Sequence, residues 1–291
     1  MYLTGFADEA SKGIDGQIKA TLELGWKYIE SRNIDGKNIH DITDEQFDIV
    51  CGKLADAGIE INCFGSAIAN WGKKINEPFD TSLAEAKRAI PRMQRLGTKL
   101  IRIMSFAVLP DREPDDQMEA ERFRRLRELL KMFTDAGIKP VHENCMNYGG
   151  MSWQHTLKLI ENVPGLRLVY DTGNPIFTDD RGKPKPYPKQ SSWEFYKNVR
   201  EFIDYVHIKD GYWNAKENKQ VFTFPGEGQG DVWRIVEDLV KTGYDGGFSM
   251  EPHLAVVYHD ASIKSDAEIM YNNYVEYGKR FSKQLSVISK Q

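Results

Sequence analysis

Five times this chain ends an amphipathic stretch on a glycine and passes within a few residues into an apolar run: "LELGW", "LADAGIEI", "QRLGTKLI", "FTDAGIKP" and "VKTGYDGGF". Glycine at such a point is a helix stop, because it takes the left-handed backbone of a helix C-terminus at no steric penalty. The run that follows reads as a strand. Eight such runs occur: 2–7, 27–34, 59–67, 100–106, 139–145, 166–174, 205–211 and 247–253. Helix-period stretches lie at 15–25, 43–57, 81–96, 118–136, 152–162, 191–203, 231–242 and 265–285. Eight strand-then-helix units without a break in composition predict an α/β chain folded as a (β/α)8 TIM barrel, one domain over 1–291. A doubly wound open sheet is the main rival. Its dinucleotide-binding form loses support because no G-x-G-x-x-G follows the first run.

Hydrophobic residues make up 41% and charged residues 28%, the balance of an ordinary globular chain. The net charge of −4 argues against a nucleic-acid partner, since such affinity comes largely from Lys and Arg on phosphates. The one basic run, "RFRRLR" at 122–127, reads as the solvated face of a helix. Cys51, Cys63 and Cys145 form no CxxC and no even set, so they read as reduced. The first ten residues carry Asp8 and no long apolar core, unlike a signal peptide. No run reaches the roughly 18 apolar residues of a membrane span. The expectation is a cytoplasmic protein with no membrane partner.

Loop lengths say where the chemistry sits. Strand-to-helix connections at 68–80, 107–117, 175–190 and 212–230 are too long for mere connectors. In a barrel they belong to the carboxyl face, where active sites are built. Four successive runs, the fifth to the eighth, end in a polar residue: Glu143 in "KPVHENC", Asp171 in "LRLVYDTGN", His207 in "YVHIKDG" and Glu251 in "GFSMEPH". Side chains alternate along a strand, so His207 and Lys209 share one face while Val206 and Ile208 take the other. Three carboxylates converging on a barrel mouth would repel one another and raise each other's pKa values. A divalent cation removes that cost. Three oxygens and one imidazole suit Mn²⁺ best, with Mg²⁺, Co²⁺ or Zn²⁺ as alternatives.

These motifs resemble the xylose isomerase-like TIM barrels, a superfamily that includes sugar phosphate isomerases and epimerases. The resemblance rests on "HEN", "YDTGN", "VHIKD" and "MEPH", with "FPGEGQGDV" at 224–232 similar to the glycine-rich segment before the seventh helix. It implies a metal-dependent sugar isomerase or epimerase acting on a keto-sugar or sugar phosphate. In that reading Glu143 and Glu251 are catalytic acid and base as well as ligands, Asp171 and His207 are ligands only, and an enediolate forms on the way. Two positions depart from the ketose 3-epimerase pattern. Asn174 stands where a histidine is expected three residues after Asp171, and Trp213 where an arginine is expected six after His207. "VHIKD" is closer to inosose dehydratase-like members, which makes a dehydratase on a keto-polyol the alternative. A non-catalytic sugar-binding barrel and an abasic-site endonuclease are the other readings.

Further residues are candidates for substrate contact, each beside a plainer role. Glu30 in "YIESRN" reaches substrate hydroxyls or pairs with Arg32 or Arg102. Arg102 grips an anionic group or forms a buried ion pair. Lys209 faces the metal or pairs with Asp210 or Glu227. His253 contacts substrate if the last strand continues past Pro252, and Glu227 lies in "GEGQG". Trp213 and Trp71 are candidate apolar walls for a sugar ring, while His142 alternates with Glu143 and should face away. In the terminal helix, Tyr271, Tyr274, Tyr277 and Phe281 mark one face, which packs on the barrel or forms a homo-oligomer contact.

Overall fold

A computed structural model describes residues 1–257 and 265–290. Eight parallel strands form one sheet among the described residues. They are β1 (Tyr2–Gly5), β2 (Tyr28–Ser31), β3 (Glu60–Phe64), β4 (Leu100–Ile103), β5 (Lys139–Glu143), β6 (Arg167–Asp171), β7 (Ile203–Ile208) and β8 (Gly247–Met250). Their order runs from β1 through β8 and back down to β2. A parallel bridge between Phe6 and Glu30 links the two ends, so the sheet closes as the TIM barrel expected from sequence.

Helices alternate with the strands: α1 (Ile14–Glu23), α2 (Asp44–Ala57), α3 (Asp80–Leu96), α4 (Glu119–Asp135), α5 (Trp153–Asn162), α6 (Ser192–Val199), α7 (Val232–Lys241) and α8 (Ala267–Ile288). Local chemistry fixes their ends. Thr43 and Gln46 form a reciprocal capping box at the start of α2, and Gly58 closes that helix at φ 66°. The helix-to-strand turns are accordingly short, and the long connections gather where the strands end.

Alternation sorts the side chains of each strand. Val206, Ile208, Phe248, Met250, Leu168 and Tyr170 join the large core between barrel and helices. Val141, Val169 and Tyr205 pack with Cys63 in a second, smaller cluster inside the barrel. Glu143, Asp171 and His207 each lie two residues further along the same inward face. A polar layer therefore sits on an apolar floor at the carboxyl mouth. The terminal helix packs on the barrel: Tyr274, Tyr277 and Phe281 are all buried in the core.

Candidate metal centre

Glu143 and Asp171 are the last residues of β5 and β6, His207 is the penultimate residue of β7, and Glu251 follows β8 directly. Strand register places Asp171 beside His207 and His207 beside Ser249. The four residues are 0–3% exposed, and one ligand atom from each lies within 4.8 Å of the others. Glu143 Oε2, Asp171 Oδ2, His207 Nδ1 and Glu251 Oε2 are all buried, and none makes a hydrogen bond. The basic groups nearest the carboxylates, Arg102 Nη1 at 3.0 Å from Glu143 and Lys209 Nζ at 2.9 and 3.0 Å from Asp171 and Glu251, stand at ion-pair distance but outside hydrogen-bond geometry. Three carboxylate oxygens and an imidazole nitrogen converging at one point could hold a divalent cation.

Each ligand is held by its other atoms. Asn174 Nδ2 donates to Glu143 Oε1 at 3.0 Å. The amides of Gly173 and Asn174 donate to Asp171 Oδ1 at 2.8 and 2.7 Å. His207 Nε2 bonds the Glu30 carboxylate at 3.0 and 3.2 Å, and Ser249 Oγ donates to Glu30 Oε2 at 2.6 Å. This fixes the imidazole so that Nδ1 faces the centre, the arrangement that orients metal-bound histidines generally. Arg32 Nη1 donates to Glu251 Oε1 at 3.0 Å, while Asp8 and Glu9 hold the rest of that guanidinium at 2.9–3.1 Å. Below them the Phe6 ring meets the His207 ring edge-on and carries the Arg32 and Arg102 guanidiniums on its face, 4.3 and 5.0 Å from its centre.

The charges are unbalanced. Six buried carboxylates (Asp8, Glu9, Glu30, Glu143, Asp171, Glu251) face three buried permanent cations (Arg32, Arg102, Lys209) and the His207 imidazole. Burial works to raise Glu143, but Arg102 and then His207 outweigh it and hold the group at about 2. Burial wins at Asp171 and pushes it up to about 6 against the pull of Lys209. Burial opposes charge on His207, yet Glu30, and then the Glu143 and Glu251 carboxylates 3.8 and 3.4 Å from Nδ1, raise it well above the ordinary histidine value. A divalent cation would supply the missing positive charge and take over Nδ1, which must be free of its proton to coordinate.

Several residues expected at the substrate line a cleft above the centre: Arg102, Asn174, Lys209 and His253 join Glu143 and Glu251 there. Arg102 also takes the plainer role, as the ion pair of Glu143. His253 lies past the end of β8, its backbone at φ 54°, with its Nδ1 held by Glu9 at 3.0 Å. Three residues expected at the substrate do not line this cleft. Glu30 is 0% exposed beneath His207, and its partners are His207 and Ser249 rather than Arg32 or Arg102. Glu227 is exposed and pairs with Arg280 at 2.8 Å. Trp213 lies in a hairpin (Gly211–Asn214 with Lys219–Phe222), 3.9 Å from its ring centre to the Lys189 ammonium and outside the cleft lining. Lys209 pairs with Asp171 and Glu251, not with Asp210 or Glu227. His142 turns away from the centre onto Ser105 and Asn147, and Trp71 lines the cleft.

The glycine-rich segment is also explained. Asp210, 0% exposed, accepts the amides of Gly211, Gly226, Gly228 and Gly230 at 2.7–3.1 Å. A Cβ on Gly228 would lie 2.3 Å from Asp210 Oδ1 and one on Gly230 2.9 Å from it, so the close approach calls for glycine at these two positions. Its amides cradle a carboxylate of the chain itself rather than a phosphate. Asp8, Glu9 and Arg32 went unrecognised as site residues in the sequence. Their signal is the one used for the later strands, charged residues just past a strand end, here in "FADEA" and "ESRN".

The profile of the xylose isomerase-like TIM barrel family matches residues 18–272, and the chain belongs to that family. Comparison with curated protein sequences finds no match. Among solved structures, the chain is similar to a xylose isomerase-like TIM barrel protein from Mycobacterium smegmatis in complex with magnesium, at 18% identity and a TM-score of 0.69, covering 99% of this chain and 96% of that one. It is similar to D-psicose 3-epimerase with D-tagatose from Clostridium cellulolyticum H10, at 17% identity and 0.66, covering 98% and 99%. It is also similar to a probable 3-DHS dehydratase, AsbF, involved in petrobactin synthesis in Bacillus anthracis, at 16% and 0.65, covering 94% and 97%. At these identities the likeness is one of fold. Among the described residues, no helix is long and apolar enough to cross a membrane.

Proposed function

We propose that the protein is a divalent-metal-dependent sugar isomerase or epimerase acting on a keto-sugar or sugar phosphate. The observation that carries this reading is the convergence of four buried ligand atoms from Glu143, Asp171, His207 and Glu251 within 4.8 Å of one another, two of them on glutamates that also line the cleft. Asp171 and His207 serve as ligands only. Mn²⁺ is the preferred ion for this donor set. Held by Glu143, Asp171, His207 and Glu251, the cation would supply Lewis-acid polarisation of a substrate carbonyl. Glu143 takes the proton from the carbon beside the carbonyl, breaking the C–H bond, and Glu251, after picking up a proton from solvent, delivers it to carbon. Arg102 and Arg32 keep each glutamate aimed, one guanidinium to each carboxylate. The positions of Asn174, Lys209 and His253 in the lining suit contacts to substrate oxygens.

The buried Lys209 ammonium favours a second reading, dehydration of a keto-polyol. There the same carbon proton leaves, a neighbouring C–O bond breaks, and Lys209 protonates the departing hydroxyl to give water. Proton NMR in D₂O with Mn²⁺ and a panel of keto-sugars separates the two. Carbon-bound deuterium with a new epimer or isomer supports the first reading, and loss of water supports the second. Glu143→Gln and Glu251→Gln should each slow exchange at least about 100-fold. Exchange at wild-type rate in both variants contradicts either mechanism.

A further inference from the structure

We propose that Lys209 is the built-in occupant of the cation centre: its ammonium holds Asp171 and Glu251 until a divalent cation displaces it toward the cleft. The inference rests on the metal reading above. Lys209 Nζ lies 2.9 Å from Asp171 Oδ2 and 3.0 Å from Glu251 Oε2, and these are two of the four oxygen and nitrogen atoms that lack hydrogen bonds. An ammonium and a metal ion on the same two oxygens would repel each other, and the repulsion is strong in a buried site. The side chain is 2% exposed, so it is not there by chance encounter with solvent-facing acids.

The geometry also limits where the ammonium can go. The Lys209 backbone is fixed on both sides: its amide donates to Thr172 Oγ1 at 3.1 Å, and its carbonyl accepts from the same hydroxyl at 2.6 Å. Its stem lies against Gly173, where an added Cβ would come within 2.6 Å of Lys209 Cγ. Only the outer torsions are free to turn. Nζ already donates to Asn174 Oδ1 at 3.2 Å, and Asn174 and Lys209 both line the cleft. Losing two carboxylates to the metal therefore leaves the ammonium on Asn174, facing the space a substrate would fill. Lys209 thus lowers metal affinity, holds the metal-free centre together, and becomes a substrate-facing cation only once the metal is in place.

Isothermal titration of chelator-treated protein with MnCl₂ tests this, comparing wild type with Lys209→Met and Lys209→Gln, both first checked for fold by circular dichroism. Both variants should bind Mn²⁺ at least about tenfold more tightly than wild type. Without metal they should melt below wild type, and Mn²⁺ should raise their melting temperatures by more. In the wild type, Mn²⁺ should also speed acetylation of Lys209 severalfold, a readout that needs no variant. Equal or weaker binding by the folded variants, or equal acetylation with and without Mn²⁺, overturns the proposal. Wild type binding no Mn²⁺ at all overturns the metal reading itself, so the two failures are told apart.

Discussion

Replacing Asp210 by asparagine tests how the cleft wall is positioned. The Asp210 carboxylate accepts Gly211 and Gly230 on Oδ1 at 2.8 and 2.9 Å, and Gly226 and Gly228 on Oδ2 at 2.7 and 3.1 Å. Whichever way an asparagine amide turns, its NH₂ faces two N–H donors that had an oxygen before. Two hydrogen bonds to a charged group are lost, each worth about 1.5–3 kcal/mol, so the cost is about 3–6 kcal/mol. For a chain of this size the melting temperature should fall by roughly 5–10 °C. If the segment opens locally instead, the loss shows as faster amide hydrogen exchange in 211–230 with little change in melting. The hairpin that carries Gln220 and Phe222 into the cleft starts at Gly211, so substrate affinity should fall as well. Unchanged melting together with unchanged exchange in 211–230 would refute the claim that this carboxylate organises the glycine-rich segment.

Other substitutions probe the centre and its surroundings. Glu30→Gln keeps an acceptor for His207 but removes the charge behind it. Metal affinity should drop about 10–100-fold, or about 1.4–2.7 kcal/mol, by titration with Mn²⁺, and an unchanged affinity would deny Glu30 its orienting role. His142 is fully buried, and burial lowers it to about 4 despite its bond to Asn147. Folded protein therefore keeps it neutral while the unfolded chain binds a proton below about 6.5. Its contribution is fully present above that value and is lost as pH falls toward 4, by about 3 kcal/mol. Denaturant titrations at pH 7 and pH 4 should show that loss in wild type and not in His142→Gln; the same pH slope in both proteins would contradict it.

Much of the barrel was legible because local signals mark it. Glycine stops at Gly58 and Gly97, both in the left-handed region, fall where sequence put the ends of the second and third helices. Strand alternation set Val206 and Ile208 on one face and His207 and Lys209 on the other, and the structure puts the first pair in the outer core. What stayed hidden depends on partners far apart in the chain. Glu30 meets His207 across 177 positions, and Arg32 meets Glu251 across 219. Both contacts exist only because β1 and β2 close against β8, which no local pattern reports. Glu227 and Trp213 misled for the opposite reason. Their loop is long and rich in chemical groups, yet Asp210 anchors it so that Gln220 and Phe222 line the cleft instead.

The most direct measurement is anomalous diffraction at the manganese edge from crystals of chelator-treated protein soaked in MnCl₂. The account predicts one strong peak bounded by Glu143 Oε2, Asp171 Oδ2, His207 Nδ1 and Glu251 Oε2, with the Lys209 ammonium withdrawn from it. No peak at that point, or a peak only elsewhere on the molecule, would contradict the idea that these four side chains exist to share a cation.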